Sequence, residues 1–247
     1  MLEPDDVVAV ALSGGKDSVT LLRVLCKIEK RYPHTKLAAM TIDEGISGYR
    51  DEAVSISREL CRDLGVEHYV TSFAELFGVT MDRIASEQAE LQPCSYCGVL
   101  RRKALNEVAK RVGATKLATG HNLDDEAQTA LLNVMHGNIE RVVRVCAGPQ
   151  KVLTGFVPRI RPLSWVPERE TTLYAYATGA RFQSITCPHG NDALRGDIRA
   201  MLNRLEFKHP GTKYTICRSV DKLSELTGVK KTRCSCLLYT SPSPRDR

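Results

Sequence analysis

The sequence predicts a doubly wound α/β fold, a mostly parallel sheet with helices on both faces, followed by a helical C-terminal extension. Three observations predict it. The apolar run Val7-Val8-Ala9-Val10-Ala11-Leu12 breaks at once into Ser13-Gly14-Gly15-Lys16-Asp17-Ser18 and then into a helical pattern from Val19 to Lys30, which reads as strand, loop and helix. Beyond it, short β-rich runs keep alternating with amphipathic helical stretches, the order that covers a parallel sheet on both sides. The chain has 247 residues and 43% hydrophobic content, enough to bury one substantial core with at most a small appended lobe.

The first loop carries the clearest chemistry. Gly14 and Gly15 let the backbone turn tightly and approach a ligand, because neither has a Cβ to collide with it. Free amides of the loop and the first helical turn form an anion-binding nest at the positive end of a helix dipole, and Lys16 with the Ser13 and Ser18 hydroxyls adds donors. The expected ligand is a phosphate. The spacing matches neither G-x-x-x-x-G-K-[ST] nor G-x-G-x-x-G.

Lys36 to Ile42 is a second strand, ending in Asp43-Glu44-Gly45. Tyr49 to Leu64 is a helix with apolar residues at Ala53, Ile56, Leu60 and Leu64, stopped by Gly65. Val66 to Thr71 is a third strand. Ligands of such sheets sit beyond the carboxyl ends of the strands, so Ile42 and Asp43 are expected to flank the ligand whose phosphate the first loop holds; Asp43 as a plain turn residue is the alternative.

A helical region around Val79 to Leu91 precedes Pro93-Cys94-Ser95-Tyr96-Cys97-Gly98-Val99-Leu100-Arg101-Arg102-Lys103, with a helix expected from about Tyr96 to Val112 and ended by Gly113. Two cysteines this close, on a loop running into a helix, can aim both thiolates at one metal, and helix amides and nearby cations lower their pKa values. Structural zinc is the bland alternative, but zinc wants four ligands and the next cysteine, Cys146, stands alone. Arg101, Arg102 and Lys103 read either as a solvated helix face or as a phosphate or RNA contact.

Thr115 to Thr119 is a strand delivering Gly120-His121-Asn122-Leu123-Asp124-Asp125-Glu126-Ala127-Gln128-Thr129. Asn122 or Asp124 caps the helix this opens. Capping explains one carboxylate; three acids at the sheet edge, facing the phosphate expected at the first loop, can hold Mg²⁺ through phosphate oxygens. His121 reads as a general base, an RNA contact or a satisfied loop residue. Gly148 to Pro167 is a long connection to a helix near Arg169 to Tyr176. A β-like run, Phe182 to Thr186, then places Cys187 at a strand end, before a helix from about Asn191.

Composition narrows the class. No apolar run approaches the roughly 20 residues of a membrane span, and the start lacks a signal-peptide layout, so a cytoplasmic protein with no membrane association is expected. Nine cysteines are an odd number for a secreted disulfide framework and favour metal or redox use in a reduced compartment. The net charge of +6 suits a polyanionic partner.

SGGKDS directly after a strand resembles the PP-loop of the ATP pyrophosphatases, which use ATP to adenylate a substrate oxygen. Together with PCSYCGVLRR at 93 to 102, GHNLDDEAQT at 120 to 129, Thr186-Cys187-Pro188-His189, and Lys208-His209-Pro210-Gly211-Thr212-Lys213-Tyr214, the chain from about residue 5 to 236 resembles the cytosolic tRNA 2-thiolation proteins of the TtuA and Ncs type.

The resemblance implies a [4Fe-4S] cluster on Cys94, Cys97 and Cys187, with zinc as the alternative occupant, and Asp125, Cys94 and Cys187 as catalytic residues. It implies ATP and Mg²⁺, with nucleotide contacts from Ala11, Ser13, Gly14, Gly15, Lys16, Asp17, Ser18, Ile42, Asp43, Arg101 and Gly120. The implied enzyme adenylates the C2 oxygen of a tRNA uridine and replaces it with sulfur, turning ATP into AMP and pyrophosphate. The implied partners are tRNA, a sulfur donor such as a ubiquitin-like sulfur carrier protein, and a second copy of the chain as a homodimer.

A 2-thiocytidine synthetase or another PP-loop adenylating enzyme is the first alternative, and an RNA-binding scaffold with structural zinc the second. Residues 1–160 are expected to form the ATP-binding α/β domain carrying the cysteine pair, and 161–236 a helical part with the third cysteine. Relatives carry small zinc modules at both ends, of which only Cys234-Ser235-Cys236 has a counterpart here. The segment 237–247 reads as a non-native tail.

Overall fold

Val7–Ala11 (β1) turns through residues 12–15 into Lys16–Glu29 (α1), and this unit fixes the rest of the sheet. The computed structural model describes residues 2–32, 34–87, 93–145, 155–190 and 193–226. The chain continues through Lys36–Asp43 (β2), Arg50–Leu64 (α2), Glu67–Ser72 (β3), Phe73–Phe77 (α3), Met81–Ser86 (α4), Pro93–Arg111 (α5) and Lys116–Ala118 (β4). Leu123–Met135 (α6), Ile139–Val145 (α7), Arg159–Ile160 (β5), Glu168–Ala177 (α8), Ala193–Lys208 (α9) and Thr212–Leu226 (α10) complete it.

The sheet order is β3-β2-β1-β4-β5 and every pairing is parallel. β1 is buried on both sides, and its alternate residues serve opposite faces. Val8, Val10 and Leu12 pack with Val19, Leu22, Leu25 and Leu60, whereas Ala9 packs on the other side with Met40, Phe73, Met81, Ala104 and Val108. Two-residue periodicity thus builds the doubly wound core. Each fully buried Leu or Val contributes about 1.5–3 kcal/mol of burial. A third cluster joins Leu123, Ala127 and Leu132 of α6 to Ile198 and Leu202 of α9 and Cys217 of α10, so the C-terminal helices are seated on the helix that follows β4.

The strand order reverses between β1 and β4, which opens a crevice at their carboxyl ends. Helix ends follow the glycine signals: Gly65 caps α2 at φ 68°, and Gly113 follows α5 at φ 67°.

Four expectations change. The two-residue β5 forms within the long connection expected from Gly148 to Pro167, where so short a strand has no periodic signature. Residues 182–186 form no strand: the Gln183 amide donates to the Gly14 carbonyl at 2.8 Å, so this segment crosses to the phosphate loop instead of joining the sheet. α5 begins at Pro93 rather than near Tyr96, so Cys94 lies in the first turn of the helix and not on a loop before it. The helical region expected around Val79 to Leu91 is α4 over Met81–Ser86, with residues 88–92 outside the described residues, and the short α3 before it, ended at Gly78 with φ 70°, had no counterpart among the expected elements. Cys146, Cys234, Cys236 and the tail 237–247 lie outside the described residues.

Candidate functional site

The phosphate loop is held from within and from beneath. Gly15 is the N-cap of α1 in extended conformation, leaving the first amides of the helix directed at the crevice. The Ser18 hydroxyl donates to the Gly15 carbonyl at 2.9 Å and accepts from the Ser13 amide at 3.2 Å. Its proton therefore shapes the loop and is not free for a phosphate. Gly14 stands at φ +81°, and a Cβ there would come within 2.8 Å of the Ala53 backbone, so it is the α2 helix that demands glycine. Gly120 meets the same demand from the other side, since a Cβ there would lie 3.0 Å from the Ser18 amide nitrogen. The loops after β1 and β4 are thus in van der Waals contact across the crevice.

Lys16 is ion-paired. Its Nζ lies 2.7 Å from both Asp17 Oδ2 and Glu168 Oε1; Glu168 also pairs with Arg199, and Asp17 accepts from the Thr171 hydroxyl. Burial lowers the Lys16 pKa, but the two carboxylates outweigh it and hold the ammonium above its ordinary range. Nothing local in the sequence ties Glu168, Thr171 or Arg199 to the loop.

Of the three acids in the motif after β4, the structure brings one to the crevice. Asp124 is buried, paired with Lys213 and accepting from the Glu168 amide at 2.8 Å. The Lys213 of the Lys208–Tyr214 motif therefore pins the start of α6. Glu126 takes both its hydrogen bonds, 2.8 Å each, from Arg161 Nη1. Asp125 remains. It forms a capping box with Asn122, each side chain accepting the other's backbone N–H, at 3.2 and 3.1 Å. Burial raises its pKa, and the negative charge of Asp17 across the crevice adds to this. Two carboxylates close enough for their charges to interact suit a divalent cation on phosphate oxygens. The ring Nδ1 of His121 lies 3.0 Å from the Thr119 hydroxyl oxygen.

At the end of β2, Ile42 is buried, and the Asp43 carboxylate accepts from the Gly45 amide at 2.8 Å, the turn role weighed from the sequence. Glu44 was not anticipated. Buried to 3% exposure, it bridges Arg50 at 2.6 Å and Arg101 at 2.7 Å. Arg50 also donates to the Ser13 carbonyl at 3.2 Å and the Ile42 carbonyl at 2.7 Å, joining the phosphate loop to β2. A cation in the first turn of a helix opposes the dipole, and that anomaly was the legible signal for Arg50.

Arg101 is placed with the thiols. Its Nη2 donates to Cys97 Sγ at 3.2 Å while its Nε holds Glu44. Burial raises the Cys97 pKa and the Arg101 charge opposes that rise, with the Cys187 and Cys94 sulfurs near enough to be felt. Cys94 donates to the His189 carbonyl, two residues from Cys187, at 3.3 Å. Cys97 and Cys187 pack against the same core cluster. The three cysteines thus gather at one edge, whereas Cys26 and Cys61 sit in the core on the other face of the sheet and Cys217 in the α6 cluster. Among the described residues, no three His, Cys, Asp or Glu side chains are arranged to hold a single metal ion. A groove of about 840 Å³, lined by Lys27, Lys36 and Asp63, lies at the amino ends of the strands, away from all of these groups.

A family model described as the PP-loop domain matches residues 3–205. The chain is 43% identical to the tRNA 2-thiolation protein NcsA of Haloferax volcanii, over 88% of this chain and 70% of that protein. It belongs to the PP-loop tRNA 2-thiolation family. The cytoplasmic tRNA 2-thiolation protein 1 of Anopheles gambiae is 37% identical over 94% of this chain and 68% of its own length. The solved U34-tRNA thiolase NcsA from Methanococcus maripaludis, which carries a [4Fe-4S] cluster, superposes with a TM-score of 0.82 at 35% identity, covering 91% of this chain and 73% of that one. The family's fold is the five-stranded parallel sheet described above. Among the described residues no helix is long and apolar enough to cross a membrane.

Proposed function

We propose that this chain is an ATP-dependent tRNA sulfurtransferase that makes 2-thiouridine, acting at position 34 as the Methanococcus maripaludis thiolase is named to do. One observation carries the reading: the phosphate loop, Asp125 and the three cysteines Cys94, Cys97 and Cys187 open on the same carboxyl edge of one sheet.

In this reading, residues Ala11 to Ser18 with Gly120 hold the ATP triphosphate through backbone amides and Lys16, and Ile42 and Asp43 border the adenosine. Asp17 or Asp125 would hold Mg²⁺, which would offset the charge of the phosphates. The uridine C2 oxygen attacks the α-phosphorus; a C2–O–P linkage forms as the bond to pyrophosphate breaks. Lys16 and the loop amides stabilise the charge that develops on phosphorus. Sulfur then forms a bond to C2, and AMP leaves with the former C2 oxygen. The base must leave its stack to reach the crevice.

Cys94, Cys97 and Cys187 are the residues that would hold the cluster, with Arg101 hydrogen-bonded to one thiol. When bound, a cluster on three thiolates supplies an iron without a protein ligand, at which sulfur can be carried. The division into an ATP-binding part to residue 160 and a helical part beyond it, a ubiquitin-like sulfur donor, a homodimer and a cytoplasmic location belong to the same reading and rest on the family.

Nucleoside analysis of tRNA incubated anaerobically with protein, ATP, Mg²⁺ and sulfide tests it. The expected product is 2-thiouridine at position 34, with pyrophosphate released; 2-thiocytidine, or pyrophosphate without thiolation, overturns it.

A further inference from the structure

We propose that Arg102, Arg141 and Arg159 form a phosphate-binding site for the RNA backbone, set on the β5 side of the catalytic crevice; the proposal rests on tRNA being the substrate. Three elements supply it: α5, α7 and the start of β5. Arg159 Nη2 donates to the Arg102 carbonyl at 3.1 Å, which ties the strand to the helix and brings the Arg159 guanidinium to the Arg102 main chain. Arg102 feels the charges of Arg141 and Arg101. Arg159 is pushed down to about 10 by burial and by the charges of Arg102 and Arg161.

The flanking arginines have their carboxylates, Glu44 on Arg101 and Arg50, and Glu126 on Arg161. Among the described residues, Arg102, Arg141 and Arg159 have no carboxylate partner. Like charges gathered without counter-charge repel one another, and an arriving polyanion relieves that repulsion. Guanidiniums suit phosphate because their forked donors match its oxygens.

The position selects RNA over the nucleotide. The ATP phosphates belong to the loop after β1, with Lys16, whereas these arginines lie beyond β4, and His121 senses Arg159 and Arg161 between the two sites. Arg102 and Arg141 are exposed, as a backbone lying over the surface requires. Such contacts carry no sequence information; they fix the register in which one base is presented to the crevice. Of the three consecutive basic residues, Arg102 alone joins this site, since Arg101 holds Glu44 and Cys97 and Lys103 lies over the Phe77 ring at 5.3 Å.

The test compares equilibrium tRNA binding across a salt series for wild type, Arg102→Gln/Arg141→Gln, Arg159→Gln, and Lys30→Gln as a control at the opposite end of the sheet. The double variant is expected to bind tRNA about tenfold more weakly, with a salt slope lower by about one per contact removed, and to bind ATP as wild type does. Arg159→Gln should follow it and Lys30→Gln should match wild type. Unchanged tRNA affinity and slope in the double variant overturn the site, as does an equal loss in Lys30→Gln. Loss of ATP affinity instead would assign the arginines to the nucleotide and overturn it too. Wild-type protein that binds no tRNA would overturn the functional reading itself.

Discussion

Lys16 Nζ lies 2.7 Å from Glu168 Oε1, so the lysine of the phosphate loop is held by a carboxylate from α8, the same carboxylate that also holds Arg199. An incoming triphosphate therefore takes a partner from Glu168. Partly exposed ion pairs are worth up to about 1 kcal/mol, which sets the size of the competition. Glu168→Gln should lower the Kd for ATP by up to about fivefold and lower the thermal stability of the nucleotide-free protein. Titration calorimetry checks the first and a melting curve the second; weaker ATP binding would show that Glu168 positions Lys16 instead of competing for it.

Lys16→Ala should reduce tRNA-dependent pyrophosphate release by about a hundredfold, the usual cost of removing one preorganised donor, and leave the iron content unchanged. Loss of iron in this variant would show that loop and thiols do not act as separate sites.

Serine at position 94, 97 or 187 should remove iron, acid-labile sulfide and thiolation together while sparing ATP binding, because the thiols are gathered at one edge apart from the loop. Cys26→Ser, in the opposite core layer, should keep all three. Iron retained at full stoichiometry in Cys187→Ser would sink the three-thiol site.

Glu44 is buried between Arg50 and Arg101. Glu44→Gln leaves two guanidiniums facing each other without their shared counter-charge, a loss of about 3 kcal/mol, or about 6–12 °C in Tm for a chain of this size. Scanning calorimetry reads it. A shift below about 2 °C would mean that solvent screens the triad.

Asp6 holds Lys116 at 2.7 Å, joining the start of β1 to β4. Burial raises the Asp6 pKa, but hydrogen bonds from Lys116, Thr115 and the Glu3 amide outweigh it and leave it below its ordinary value of 3.8. A lowered carboxylate contributes stability above its unfolded-state pKa and loses it as pH falls through the folded-state value. Asp6→Asn should therefore cost about 2 kcal/mol between pH 5 and 8, and the gap to wild type should begin to narrow as pH falls below about 4 and go on narrowing through the lower folded-state value. A gap that does not narrow on acidification would place its origin outside this charge.

The sequence by itself determined the α/β class, the first four strands and most helices, and the phosphate loop with its glycines, because each rests on local periodicity or on a backbone conformation that few residues allow. It also marked Cys94, Cys97 and Asp125 through short motifs. The tertiary structure decided which motif residues face the crevice. Asp124 and Glu126 look like Asp125 along the chain, yet Lys213 and Arg161 turn them into buried structural pairs. Ser18 looked like a ligand donor and bonds its own loop. Cys187 reaches the pair on a segment that crosses to Gly14 without forming a strand. Glu168 with Arg199, and the pairing of Glu44 with Arg50 and Arg101, had no local signature, because a long-range charge pair is selected by where two distant backbones meet, and no window of sequence contains both partners.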